Sequence, residues 1–174
     1  HSVLLVIIIF YFLRKDVIYR KRFDSLMESY EKKIPSIEKA TTTQKKMIGL
    51  SKEVVDSILA KLENFEETHQ FTKKNHTLPK LAKELDTNSK YLSKVINITK
   101  GMNFVNYINE LRIDYAITKL KENKVFRSYT IKAIAMEVGF NNAQSFSIAF
   151  HKKTGINPSY FLKQLENHKN TLNS

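Results

Sequence analysis

Cysteine is absent from this 174-residue chain. Disulfides, thiolate zinc sites and cysteine nucleophiles are thereby excluded, and the absence accords with a reducing compartment. Glycine and proline are scarce, at four and three residues. A turn-rich β-architecture needs more of both, so helices are favoured. Catalytic constellations are missing too. There is no phosphate-cradling glycine loop. His69 and His76 stand seven apart with no acidic neighbours at metal-ligand spacing. No nucleophile comes with a recognisable base, and Glu63, Glu66 and Glu67 read as a solvated face. Neither an enzyme nor a resident cofactor or metal is expected.

Acidic residues are also in short supply, with 17 Asp/Glu against 29 Lys/Arg and a formal charge of +12. Residues 70–167 hold 16 Lys/Arg and 7 Asp/Glu, an excess of nine positive charges. Such a segment has the electrostatic footprint of a polyanion binder. Charge alone leaves open a merely soluble basic surface.

What decides between them is a repeat. Thr77-Leu78, Leu81-Ala82, Leu85 and Asn88 recur 53 places on as Thr130-Ile131, Ile134-Ala135, Val138 and Asn141. Leu92, Ile96, Gly101, Asn103, Tyr107 and Ile108 recur 54 places on as Phe146, Phe150, Gly155, Asn157, Phe161 and Leu162. Twelve matched positions with one inserted residue between Asn141 and Phe146 make an internal duplication. Each copy has the grammar of a helix-turn-helix, the first over about 78–97 and the second over about 131–151.

In the first copy, Thr77 caps a helix opening with Leu78-Pro79, where proline is tolerated. Leu81, Ala82 and Leu85 face inward, Asp86-Thr87-Asn88 forms the turn, and Leu92, Val95 and Ile96 hold the second helix. Lys90, Ser93, Lys94 and Asn97 are left on its other face. The second helix of such a motif lies in the major groove, where Lys suits guanine acceptors and Asn suits adenine. In the second copy, Thr130 caps Ile131 to Val138, Gly139 takes a left-handed turn and Phe140 plugs it. Phe146 and Phe150 anchor the next helix. Its outward residues are Asn142, Gln144, Ser145, Ile148 and His151, with Lys152 and Lys153 placed for phosphates. Between the copies, Asn103 caps a helix from Phe104 to about Glu122. Nineteen residues span roughly 28 Å, comparable to the roughly 34 Å between successive major grooves on one face of DNA. Arg112, among apolar positions of that helix, reads as a structural ion-pair or capping residue. Ser51 caps a scaffold helix whose apolar stripe is Val54, Val55, Ile58, Leu59, Leu62 and Phe65, closed off by Phe71.

Val3 to Leu13 is an unbroken run of eleven apolar residues. Phe10, Tyr11 and Phe12 sit at its end, followed by Arg14, Lys15, Arg20, Lys21 and Arg22. That order belongs to the cytoplasmic end of a transmembrane helix and reverses that of a secretory signal. Because a span needs roughly 20 residues, residues 1–34 are expected to be the end of a transmembrane helix plus a juxtamembrane stalk. Phe23, Leu26, Tyr30, Ile34 and Ile37 form an apolar seam along the stalk. It suits either a homodimer through residues 18–37 or packing on the chain's own domain. Pro35 ends the helix. Residues 35–50 are the expected linker, 51–167 the DNA-binding domain and 168–174 a tail.

The residues Ile134-Ala135, Val138-Gly139-Phe140, Phe146, Phe150, Thr154-Gly155 and Pro158, with Tyr107-Ile108 and Arg112 upstream, resemble the AraC/XylS family of bacterial transcription regulators over about 70–165. The resemblance implies an all-α fold with two helix-turn-helix subdomains joined by a long helix, here preceded by an N-terminal membrane-proximal helix. It implies promoter DNA and RNA polymerase as partners. The family's base-reading places fall on Lys90, Ser93 and Lys94, and on Asn142, Gln144, Ser147 and Ile148. Ile148 departs from the long polar or basic residue often found there. The basic segment leading into the domain is similar to membrane-bound members of the family, which implies a single-pass protein with its DNA-binding domain on the cytoplasmic side of the inner membrane. A soluble activator, with the apolar run as core or dimer contact, and a membrane-linked protein-interaction module are the alternatives.

Overall fold

A computed structural model describes residues 2–31 and 49–172. The described residues are helical, with no strand among them. In chain order the helices are α1 (Ser2–Glu31), α2 (Lys52–Glu67), α3 (Leu78–Glu84), α4 (Ser89–Lys100), α5 (Phe104–Glu122), α6 (Lys124–Arg127), α7 (Ile131–Glu137), α8 (Ala143–Thr154) and α9 (Pro158–Leu172). A single 3-10 turn, Gln70–Thr72, follows α2. The chain forms two units, residues 36–146 and residues 1–35 with 147–174.

Helix starts in the first unit are set by side chains that satisfy otherwise orphaned amides. Ser51, Thr77, Asn88, Asn103, Asn123 and Thr130 each accept from the amide three residues on. The core then follows from the 3.6-residue period. Ile58, Leu62 and Phe65 of α2 meet Leu81, Ala82 and Leu85, and Leu92, Val95 and Ile96 of α4. Phe104, Tyr107 and Ile108 of α5 join the same cluster. Of the stripe expected on α2, Val54 turns out exposed. Ile113, Ala116, Ile117 and Leu120 carry the buried face of α5 towards its C-terminal end.

Three polar residues hold this unit together. Arg112 Nε donates to the Phe71 carbonyl at 2.8 Å and its Nη2 to the Lys73 carbonyl at 2.9 Å. The guanidinium also lies over the Phe140 ring. Arg112 therefore caps a loop. Burial pushes it down to about 10, so it stays charged at neutral pH. Arg127, buried on α6, donates to the Leu120 and Lys121 carbonyls and so closes the end of α5. Glu66 corrects its reading as a solvated residue, for its Oε1 accepts from Lys100 Nζ at 2.8 Å and from the Tyr107 hydroxyl at 2.7 Å.

In the second unit, α1 packs on α9. Phe23 is buried against Phe161, ring centroids 5.3 Å apart, and Tyr19 meets Tyr160 edge-on at the same distance. Asp16 Oδ1 accepts from the Tyr160 hydroxyl at 3.1 Å. Phe23 of the expected dimer seam is thus spent within the chain. Ile34, Ile37, Pro35 and the linker up to residue 48 lie outside the described residues. No helix among the described residues is long and apolar enough to cross a membrane. Although α1 has 30 residues, its apolar run ends at Leu13 and charges follow at once. Eleven helical residues cover about 16 Å of a roughly 30 Å hydrocarbon layer. Finally, α9 continues past residue 167 to Leu172, into the segment expected to be a tail.

Candidate nucleic-acid interface

The two helix-turn-helix turns are built alike. After α3, the Thr87 amide reaches back to the Ala82 carbonyl at 2.9 Å, and Asp86 takes a left-handed conformation with φ +53°. After α7, the Phe140 amide reaches back to the Ala135 carbonyl at 2.8 Å, with Gly139 at φ +98°. These are the six-to-one bonds that close a helix through a left-handed residue. Glycine is required only in the second turn. A Cβ on Gly139 would stand 2.5 Å from the Thr72 carbonyl oxygen and 2.9 Å from Arg112 Nε.

The helix that follows each turn is capped by an asparagine. Asn88 Oδ1 accepts from the Tyr91 amide at 2.9 Å, and Asn142 Oδ1 from the Ser145 amide at 2.7 Å. The counterpart of Asn88 is therefore Asn142, and the inserted residue is Asn141, inside the turn. This corrects the sequence pairing of Asn88 with Asn141. With the caps aligned, α4 and α8 match over twelve residues each. Lys90, Ser93, Lys94 and Asn97 fall opposite Gln144, Ser147, Ile148 and His151.

On α4, Lys90, Lys94 and Asn97 are exposed and Ser93 is half-buried, while Leu92, Val95 and Ile96 are buried beneath them. Asn97 Nδ2 donates to Ser93 Oγ at 3.4 Å. The Lys94 ammonium lies beside Gly49. On α8, Asn142, Gln144, Ile148, His151 and Lys152 are exposed and Ser147 is half-buried. Ile148 is 62% exposed, a solvated apolar side chain between polar neighbours. The expected readers of each helix thus share its exposed face. Asn142, however, is committed to capping through its side-chain oxygen. Tyr91, absent from the sequence-based set, is also exposed on α4 between Lys90 and Leu92. Among the described residues no group of His, Asp and Glu could hold a metal ion.

Two capped helix-turn-helix units, each presenting a polar or basic helix face, define a DNA-binding fold of the double helix-turn-helix class. Residues 81–164 match the family model described as a helix-turn-helix domain. The chain is 35% identical over 78 residues to an uncharacterized transcriptional regulatory protein, YesN, of Bacillus subtilis, a match covering 44% of this chain and 20% of that protein. Among solved structures, the C-terminal domain of the two-component response regulator yesN of Fusobacterium nucleatum is similar at a TM-score of 0.50 and 27% identity. That match covers 64% of this chain and 96% of the other. The fold is shared with an AraC-type transcriptional regulator of Chromobacterium violaceum at a TM-score of 0.53 and 17% identity, over 66% of this chain and 96% of the other. The domain is thus similar to the helix-turn-helix domains of bacterial transcriptional regulators, in line with the resemblance read from Ile134 to Pro158.

Proposed function

We propose that this chain is the DNA-reading part of a transcription regulator that binds double-stranded promoter DNA through α4 and α8. The observation that carries the reading is the shared register of the two capped helices, which sets Lys90, Ser93, Lys94 and Asn97 on one solvent face and Gln144, Ser147, Ile148 and His151 on the other helix's equivalent face. Lysines and amides on the first turns of such a helix suit base edges. Lys152 and the other cations supply phosphate contacts and a steep salt dependence. The first unit, with two lysines, carries more of the base discrimination; the second, with Ile148, adds an apolar contact suited to a thymine methyl and otherwise positions the domain. The test is a footprint on a duplex selected by the chain from a random-sequence pool. An unchanged footprint with Lys90→Ala and Lys94→Ala together would remove the assignment.

The finer reading places the domain on the cytoplasmic side of the inner membrane, tethered through α1, with RNA polymerase as the partner at the promoter. It is supported by the order of apolar run, aromatic residues and basic cluster, and by the exposure of Ile8 and Tyr11. Fractionation of cells expressing the natural full-length chain tests it, and recovery in the soluble fraction would overturn it. The docking of Phe23 on Phe161 favours packing of the basic half of α1 on its own chain over a dimeric stalk. A protein-interaction module, by contrast, would show no salt-dependent shift of duplex DNA.

A further inference from the structure

Within the unit formed by residues 1–35 and 147–174, α1 and the C-terminal end of α8 enclose an open groove of about 630 Å³. Lys21 and Arg22 line it from α1, Lys152 and Lys153 from α8, and no carboxylate lines it. The helix is fixed there by Phe23 on Phe161, by Tyr160 on Asp16, and by Arg22 Nη1 donating to the Gly155 carbonyl at 2.8 Å. Arg22 is thereby partly engaged in closing α8, where a cation also meets the negative end of the helix. Lys21, one residue back and exposed, has no such task in the hydrogen bonds around the groove.

We infer that this groove seats the DNA sugar-phosphate backbone beside the second reader, so that Lys21 of α1 is a phosphate-contacting residue of the interface. Gln144, Ile148, His151 and Lys152 follow one another at spacings of four, three and one, a single stripe of α8. A helix lying in the major groove has a phosphate strand at each wall, so the stripe that faces base edges leads at its end to phosphates. The groove opens at that end and collects four cations there. Its chemistry matches a polyanion, and its continuity with the reading face selects DNA over another anionic surface. The inference rests on the DNA-binding function proposed above, and it brings into the interface a helix outside the helix-turn-helix units.

The test is the salt dependence of affinity for the selected duplex, using the whole chain. Each lost phosphate contact lowers the slope of log affinity against log salt by about 0.9. Lys21→Ala is expected to lower the slope by about that amount and Lys21→Ala with Lys152→Ala by about twice it, with discrimination against a mismatched site unchanged. Lys21→Arg is expected to keep the parental slope, and so is Lys15→Ala, because the Lys15 ammonium lies over Tyr19 and does not line the groove. Specific binding by the parent with an unchanged slope in Lys21→Ala would overturn this inference and leave the DNA-binding function standing. No specific duplex binding by the parent would overturn both. Loss of binding to phosphatidylglycerol vesicles in Lys21→Ala, with the DNA slope intact, would assign the groove to a lipid surface and also overturn it.

Discussion

Asn88 and Asn142 hold the same station in the two halves of this domain, each side-chain oxygen closing the first turn of a helix that presents its polar face to solvent. Aligning the halves on this pair places Lys94 opposite Ile148 and Lys90 opposite Gln144. The two proposed readers are then structurally alike and chemically unequal.

That inequality sets the first expectation. Lys94→Ala is expected to weaken binding to a selected duplex by roughly 1–3 kcal/mol and to relax discrimination at one base position. Ile148→Ala is expected to do less, with its effect confined to a thymine. Titrations against base-substituted duplexes distinguish these outcomes, and a larger loss for Ile148→Ala would reverse the proposed division of labour.

The caps can be tested on folding alone. Asn88→Ala and Asn142→Ala are each expected to cost about 1 kcal/mol, the usual loss of an N-cap. Asn141→Ala, outside the capping bond, is expected to change stability far less. Denaturant unfolding of the three variants would show whether the inserted residue has been placed correctly.

Gly139 and Gly101 differ in what surrounds them. Both have positive φ, but a Cβ on Gly101 meets nothing within 4 Å, whereas one on Gly139 meets the Thr72 carbonyl at 2.5 Å. Gly101→Ala is expected to cost about 1 kcal/mol of backbone strain. Gly139→Ala adds a clash with backbone, and its cost is expected to exceed that by roughly 1–3 kcal/mol. Melting curves of the two variants make the comparison.

Arg112 is expected to behave as a loop cap. Arg112→Met would leave the Phe71 and Lys73 carbonyls without their donor, at roughly 1–3 kcal/mol for the buried Phe71 carbonyl and less for the part-buried Lys73 carbonyl. Arg112→Lys keeps a charge but not the two-pronged donor geometry, so an intermediate loss is expected. Equal stability of Arg112→Met and the parent would remove this role.

Tyr107 carries a pH expectation. Burial first, then the charge of Glu66 and the hydrogen bond to it, raise its hydroxyl above the ordinary value of 10. The neutral form is favoured by the fold. Its contribution is therefore complete below about pH 10 and is lost as pH climbs through the higher folded value. An alkaline titration followed by tyrosinate absorbance is expected to show one tyrosine that ionises late, and Tyr107→Phe is expected to abolish that component.

The helices, their caps and the buried positions were legible in the sequence because each depends on neighbours within one or two turns. Thr77, Asn103 and Thr130 cap by reaching three residues on, and Leu92, Ile96, Phe146 and Phe150 announce a face by their spacing. The duplication, the fold class and the exposure of the proposed reading residues follow from that local information. What the tertiary structure decided lies at longer range. Glu66 became a bridge because Lys100, 34 residues on, and Tyr107, 41 residues on, converge on one carboxylate oxygen. Arg112 became a cap because the loop it holds is 41 residues back. Asp16 and Tyr160, 144 residues apart, bring α1 against α9. No periodicity reports such pairings, since chain separation says nothing of which polar groups a folded core leaves within reach of one another.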